Sequence, residues 1–164
     1  MTLSLKTKHV LLFDLDGTLV DSAPDLALAI NRTLNDLNLE QCEQTTIRGW
    51  VGNGAKTLVE RALSRSATID EKLDPVLAKD ALSRFLSHYQ VCLCEESVLY
   101  NDVKEGLFSL KASGFRLAIV TNKPAAFIEP ILTGLGLTGI FEILVGGDTL
   151  PQRKPDPAQL HYAM

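Results

Sequence analysis

Two aspartates, Asp14 and Asp16, directly follow a short apolar run in the stretch Asp14-Leu15-Asp16-Gly17-Thr18-Leu19-Val20-Asp21. In an extended segment, residues two apart point the same way, so both carboxylates can face one site. Carboxylates this close repel each other, and a cation or a division of protonation roles must relieve the cost. Magnesium suits such a pair, because it takes few protein oxygens and keeps several waters. One ionised carboxylate can then act as a nucleophile, while the other delivers a proton and later accepts one. Gly17 lets the chain turn away without a side chain over the site. The plainer alternative is a pair of turn aspartates closing a strand.

The elements around this stretch decide where it lies. Val10 to Phe13 is continuously apolar, as expected of a strand covered on both faces. Asp14 would then sit at the strand's carboxyl end, where ligands bind in open α/β sheets. The run 9–13 is too short for a membrane span or for the apolar region of a secretory signal. Ser22, Pro24 and Asp25 form a helix start: a capping hydroxyl, a first-turn proline and an early acid. Leu26, Ile30, Leu34 and Leu37 give that helix one apolar stripe. After the short segment 45–50, the glycines of Val51-Gly52-Asn53-Gly54-Ala55 make a loop able to approach a ligand closely. Leu58, Val59, Ala62 and Leu63 predict another helix. The stretch 70–92, with Leu73, Val76, Leu77, Ala81, Phe85 and Tyr89, predicts a longer one.

Beyond Tyr100 the pattern changes. A helix is expected over 103–112, ended by Gly114. A strand follows over 115–120, with Thr121-Asn122 at its end. A helix over 124–135 ends at Gly136, a strand covers 143–145, and Pro155 opens a final helix. Strands linked by helices imply an α/β fold with a Rossmann-like parallel sheet. The helical block after the first strand reads as an inserted cap. The expected organisation is a core of 1–21 and 93–164 with a helical cap of 22–92.

Composition narrows the partners. The chain has 164 residues with 46% hydrophobic and 22% charged residues, a globular composition of one core with a small insert. The formal net charge of −4 argues against a nucleic-acid partner but not against a small anion held by a few local cations. The sparse, odd set Cys42, Cys92 and Cys94 reads as reduced thiols, consistent with the cytoplasm. His88 and Cys92 can share a helix face, but no second ligand pair lies nearby, so a structural helix face is expected rather than a metal site.

The Asp-x-Asp-Gly-Thr run after a first strand resembles the signature of haloacid-dehalogenase-type phosphatases. That family's pattern continues with a Ser or Thr ending the second core strand, matched by Thr121 after Phe-Arg-Leu-Ala-Ile-Val. It then calls for a Lys before a later helix, matched by Lys154 in Arg153-Lys154-Pro155-Asp156-Pro157. The resemblance spans nearly the whole chain. It implies that Asp14 is the nucleophile that becomes an aspartyl-phosphate. It implies that Asp16 is the general acid and then the base, its backbone carbonyl binding Mg2+, so that Asp14 and Asp16 are the metal residues. The Thr121 hydroxyl and the Asn122 amide would hold phosphoryl oxygens, with Gly17 and Thr18 beside the substrate. Lys154 would neutralise charge between Asp14 and the phosphate, where exclusion of water makes a cation most effective.

Taken singly, these residues have plainer readings. Thr-Asn at a strand end is often a helix cap, and a Lys before Pro is usually solvated. Asp21 reads equally as a cap of the first helix or as functional. Asp148, after Gly146-Gly147, superficially resembles the family's fourth motif but precedes Lys154, and is expected to be a loop residue. The fourth motif itself would follow Lys154 and is not met before Met164. Weakened metal affinity and an open edge on the first strand, which invites pairing with another chain, are the expected consequences.

The segment Ile47-Arg48-Gly49-Trp50-Val51-Gly52-Asn53-Gly54-Ala55 resembles the cap loop of phosphoglycolate phosphatases. A substrate carboxylate there would want a cation or backbone donors, for which Arg48 and the Gly52–Gly54 amides are candidates. Trp50 is expected to pack the cap and Lys56 to lie on the surface. The resemblance implies a magnesium-dependent hydrolase of a small phosphorylated metabolite, 2-phosphoglycolate first, without nucleic acid or membrane. The alternatives are a sugar-phosphate phosphatase or phosphoglucomutase, or a catalytically impaired fragment. A phospho-accepting receiver module also uses an aspartate and magnesium, but the long insert after the first strand opposes it.

Overall fold

The computed structural model describes residues 10–164; His9, at the start of the apolar run, lies outside them. Strand β1 (Val10–Phe13) pairs in parallel with β4 (Arg116–Val120), which pairs in parallel with β5 (Ile143–Val145), so the sheet order is β1-β4-β5. Leu12 faces Ala118 across the first ladder, and Ala118 faces Ile143 across the second. This is the parallel α/β sheet the pattern implied.

Alternation along β4 builds two apolar layers. Leu117 and Ile119 join the main core, whereas Ala118 and Val120 pack with Val145 and Ala163 on the other face. β4 is therefore buried on both faces, as a continuous apolar run requires. β1 differs from expectation: all its residues are half-buried. Among the described residues it has β4 on one side and no strand on the other.

Four helices fill residues 23–91 after β1: α1 (Ala23–Asp36), α2 (Gln44–Arg48), α3 (Ala55–Ser64) and α4 (Pro75–Val91). The stripe Leu26, Ile30 and Leu34 is buried on α1, and Ala81, Phe85 and Tyr89 are buried at four-residue intervals on α4. α1 packs chiefly on α4 and α2, and α3 packs on α4. Trp50 is buried among them, as expected, and Lys56 is exposed beside Glu60. α4 begins later than residue 70, because the Asp74 carboxylate accepts the Val76 N–H at 2.9 Å and Pro75 takes the first turn.

A two-residue ribbon escaped the sequence reading. β2 (Val20–Asp21) pairs antiparallel with β3 (Val98–Leu99), at the chain's exit toward α1 and its return from α4. Strands this short carry no readable period. Next to the ribbon, Asp25 is fully buried. Its Oδ1 accepts the Glu96 N–H at 2.8 Å, and its Oδ2 accepts the Ser97 N–H at 3.0 Å together with the Ser97 hydroxyl. An acid expected only as a helix-start signal thus ties α1 to the segment that follows α4.

The remaining elements are α5 (Val103–Ala112), a 3-10 turn at Ala125–Phe127 leading into α6 (Ile128–Gly134), and α7 (Ala158–Tyr162). α7 starts after Pro157 rather than at Pro155, the residues between forming turns. Cys92 closes α4 and Cys94 lies beyond it in a left-handed turn, so the two cysteines do not share a helix; all three thiols are free. His88 pairs with Asp36 at 2.7 Å, in accord with a structural helix face. No helix among the described residues is long and apolar enough to cross a membrane.

Candidate active site

β1 delivers Asp14 to the carboxyl end of the sheet, and the turn after it brings Asp16 to the same cavity. The Gly17, Thr18, Leu19 and Val20 N–H groups fold back onto Val20 and Leu15 carbonyls. Gly17 takes a φ of +74°, which a side chain would strain. Leu15, between the two aspartates, points into the core and is fully buried. Asp14 and Asp16 then line one cavity of about 30 Å³ with Thr121, Asn122, Lys123, Gly52 and Gly54. The two-residue spacing thus does what the extended geometry predicted.

Lys154 arrives from the loop before α7. Its ammonium lies 2.9 Å from Asp14 Oδ2 and donates to the Val120 carbonyl at 2.9 Å, which anchors it to the end of β4. Asp14 Oδ1 accepts the Leu15 N–H at 2.8 Å. The nucleophile candidate is therefore held at both oxygens while its side chain stays partly open to solvent.

Thr121 follows β4 and is buried. Its Oγ1 accepts the Lys123 N–H at 3.2 Å, which leaves the hydroxyl proton free to be donated elsewhere. Asn122 is used differently from expectation. Its Nδ2 donates to the Gly52 carbonyl at 3.1 Å and to the Lys154 carbonyl at 3.3 Å. The side-chain amide is spent on these two loops, so of its amides only the backbone one fits the expected phosphoryl contact. Gly54 belongs to the same junction: a Cβ there would stand 3.1 Å from the Asn122 carbonyl, at a φ of +89°.

Three expected substrate contacts, Arg48, Gly17 and Thr18, are not at this cavity. Arg48 holds Asp21 with both ends of its guanidinium, at 2.7 and 3.0 Å. It lines a separate recess of about 240 Å³ with Asp16, Gly17, Asp21 and Tyr100. Its hydrogen bond keeps the Asp21 carboxyl below the usual range. Asp21 is the partner of Arg48 and lines that recess, not the cavity that holds Asp14. Thr18 is exposed and Gly17 lines the Arg48 recess, so neither borders the cavity that holds Asp14. Asp148 is a turn residue, as expected, and accepts the Ala125 N–H at 2.8 Å.

The sequence reading missed Lys123 and the true use of Ser22. The Lys123 ammonium is 2.8 Å from Asp16 Oδ1, with 3% of the lysine side chain and 12% of the aspartate side chain exposed. It also lies 4.7 Å from the centroid of the Tyr89 ring of α4. Burial opposes its charge, but Asp16 and Tyr89 outweigh that and hold the ammonium above the ordinary lysine range. Burial also pushes the Tyr89 hydroxyl up to about 12. The Ser22 hydroxyl makes no capping bond to α1 and donates instead to Asp16 Oδ1. A signal for Lys123 was available: it stands two residues after Thr121, the same spacing that put Asp14 and Asp16 together.

The family model described as haloacid dehalogenase-like hydrolase matches residues 11–164, the stretch that carries this carboxylate pair, its lysines and the buried threonine. The chain belongs to the haloacid dehalogenase-like hydrolases. A phosphoglycolate phosphatase of Colwellia psychrerythraea is 71% identical over 162 residues, covering 99% of this chain and 72% of that protein. One of Vibrio cholerae is 41% identical over 160 residues, covering 98% of this chain and 71% of that protein. The crystal structure of a predicted phosphoglycolate phosphatase from Haemophilus somnus superposes with a TM-score of 0.83 at 43% identity, covering 94% of this chain and 69% of that one. The chain is accordingly an enzyme of the phosphatase type.

Proposed function

We propose that this chain hydrolyses a small phosphomonoester through an aspartyl-phosphate on Asp14, with magnesium as cofactor and 2-phosphoglycolate as substrate. The observation that carries the reading is the pairing of Lys154 with Asp14 at 2.9 Å on a cavity that Asp16 and Thr121 also line. An Asp14 carboxylate oxygen forms a bond to phosphorus while the ester P–O bond breaks. The leaving oxygen keeps the bonding pair and takes a proton from Asp16. Asp16 then accepts a proton from water as the water oxygen bonds phosphorus and the Asp14–phosphorus bond breaks. Lys154 and the Thr121 hydroxyl neutralise and orient the phosphoryl oxygens.

The donor set fits magnesium. The Asp14 carboxylate and the Asp16 backbone carbonyl offer hard oxygens, and magnesium is commonly held by one or two carboxylates, substrate phosphate and water. Among the described residues no three His, Cys, Asp or Glu side chains gather as a metal cluster, so zinc-like coordination is not the better fit. When bound, the ion supplies positive charge that screens the carboxylate pair and the transferring phosphoryl group.

We read residues 22–92 as a cap that selects the substrate. Val51, Leu58, Phe85 and Tyr89 of this block line the cavity that holds Asp14 and Asp16, and the likeness to phosphoglycolate phosphatases supports 2-phosphoglycolate over a sugar phosphate. With Arg48 engaged by Asp21, the substrate carboxylate falls to the N–H groups of the 52–54 loop at the start of α3, the favourable end of the helix dipole. The test is magnesium-dependent phosphate release from 2-phosphoglycolate and from hexose phosphates. Wild-type turnover should favour 2-phosphoglycolate, and Asp14→Asn should fall to the uncatalysed background with its fold intact. Turnover retained in that variant would remove the mechanism, and a preference for hexose phosphates would remove the substrate assignment.

A further inference from the structure

The geometry points to Ser22 and Lys123 as a pair of positioning residues that hold Asp16 by one oxygen, Oδ1, and thereby reserve Oδ2 as the atom that exchanges the proton with the leaving group and with water. The inference rests on the function proposed above and adds two residues to it. Both donors converge on the same atom: the Lys123 ammonium at 2.8 Å and the Ser22 hydroxyl. No hydrogen-bond donor from the described residues reaches Oδ2.

Each donor is committed to this task. Ser22 begins α1 but caps nothing with its side chain, and it is buried, so its hydroxyl has no part in the helix start. Lys123 sends a full ammonium into the protein interior, which is unfavourable unless a partner compensates. Its partners are Asp16 and the face of Tyr89. Tyr89 is stacked on Phe85 and packed edge-on against Phe127, so the lysine is confined from the side of α4. A carboxylate gripped at one oxygen by two donors from different elements cannot rotate to exchange its oxygens. General acid catalysis depends on this placement, since the donor atom must lie within hydrogen-bond reach of the oxygen it protonates.

The two positions also bridge the molecule. Ser22 stands at the entry to α1, Lys123 follows β4, and Tyr89 belongs to α4. Asp16 is thus oriented jointly by the sheet and by the helices packed over it.

A leaving group that needs no proton separates positioning of the acid from general damage. p-Nitrophenolate departs without protonation at neutral pH, whereas the alkoxide of 2-phosphoglycolate must be protonated. The experiment measures kcat and KM for 2-phosphoglycolate, and the rapid burst of p-nitrophenolate from p-nitrophenyl phosphate, in wild type, Lys123→Met, Lys123→Arg and Ser22→Ala. Lys123→Met should lower kcat for 2-phosphoglycolate by about 10²-fold, the lower range of a general acid's contribution, with KM little changed. Its p-nitrophenolate burst should fall far less. Lys123→Arg should recover part of the loss, and Ser22→Ala should show the same split with a smaller loss. Should Lys123→Met not fold, Ser22→Ala and Lys123→Arg carry the test. Equal loss with both substrates, or none with either, would overturn the positioning role while leaving the site assignment intact. A wild-type chain without magnesium-dependent turnover, or turnover that survives Asp14→Asn, would overturn the underlying reading and the inference with it.

Discussion

Two ion pairs flank the same loop and behave as opposites. Lys123 and Asp16 are almost wholly buried, at 3% and 12% side-chain exposure, whereas Arg48 and Asp21 remain 45% and 23% exposed. Arg48 has the better fork-on-carboxylate geometry, with two parallel hydrogen bonds. Solvent nevertheless weakens that pair, and exposed ion pairs contribute little. The buried pair has no such screening, so removing one partner strands a charge. The cation that looked functional from its loop context is occupied at the surface. The one passed over lies inside, against the second carboxylate of the site.

The contrast between the two pairs is largest in stability. Lys123→Met should destabilise the fold by about 3 kcal/mol or more, the scale of breaking a buried pair. Urea unfolding checks this, and a midpoint equal to wild type would place Lys123 in a far wetter environment than described. Asp25→Ala extends the test to a buried carboxylate held by neutral donors. It strands two N–H groups and a hydroxyl, and a loss of about 3 kcal/mol is expected, since each buried unpaired group costs roughly 1 kcal/mol or more.

Alkaline pH provides an intermediate effect. Tyr89 keeps its proton up to about 12 when folded and loses it near 10.0 when unfolded. The folded chain then binds more protons across that window, so stability falls as pH rises through it. Lys123 acts in the same direction, since its raised folded value makes its contribution complete below 10.5 and lost as pH climbs past it. Unfolding midpoints should decline above pH 10, and Tyr89→Phe should flatten part of the decline. A midpoint that stays level across the window would contradict the burial of this pair. The smallest effect is expected for Arg48→Ala: about 1 kcal/mol or less, as for exposed pairs, with KM for 2-phosphoglycolate nearly unchanged. A large rise in KM would return Arg48 to the substrate.

Much of this organisation is legible in the sequence because it repeats. The period of two puts Asp14 with Asp16, the continuous apolar run of 117–120 places Thr121 at the end of a buried strand, and the four-residue stripe of α1 marks its packed face. What stays hidden depends on pairing across long separations. Asp16 and Lys123 are 107 residues apart, and Asp25 and Ser97 are 72 apart. Nothing local to Ser22 distinguishes a hydroxyl that caps a helix from one that turns back to an aspartate. Nor does the Thr-Asn dipeptide reveal that the Asn122 side chain bridges the loops of Gly52 and Lys154.

Asp14 is the proposed carrier of the phosphoryl group. This role is tested most directly in Asp16→Asn, which should form the phosphoenzyme from p-nitrophenyl phosphate but hydrolyse it slowly. The protein is mixed with that ester and magnesium, quenched in acid, and its intact mass and peptide map are recorded. An adduct of one phosphoryl group on the peptide containing Asp14, absent in the double variant with Asp14→Asn, is the predicted result. Phosphate release in the double variant, or an adduct on any other residue, would contradict the account.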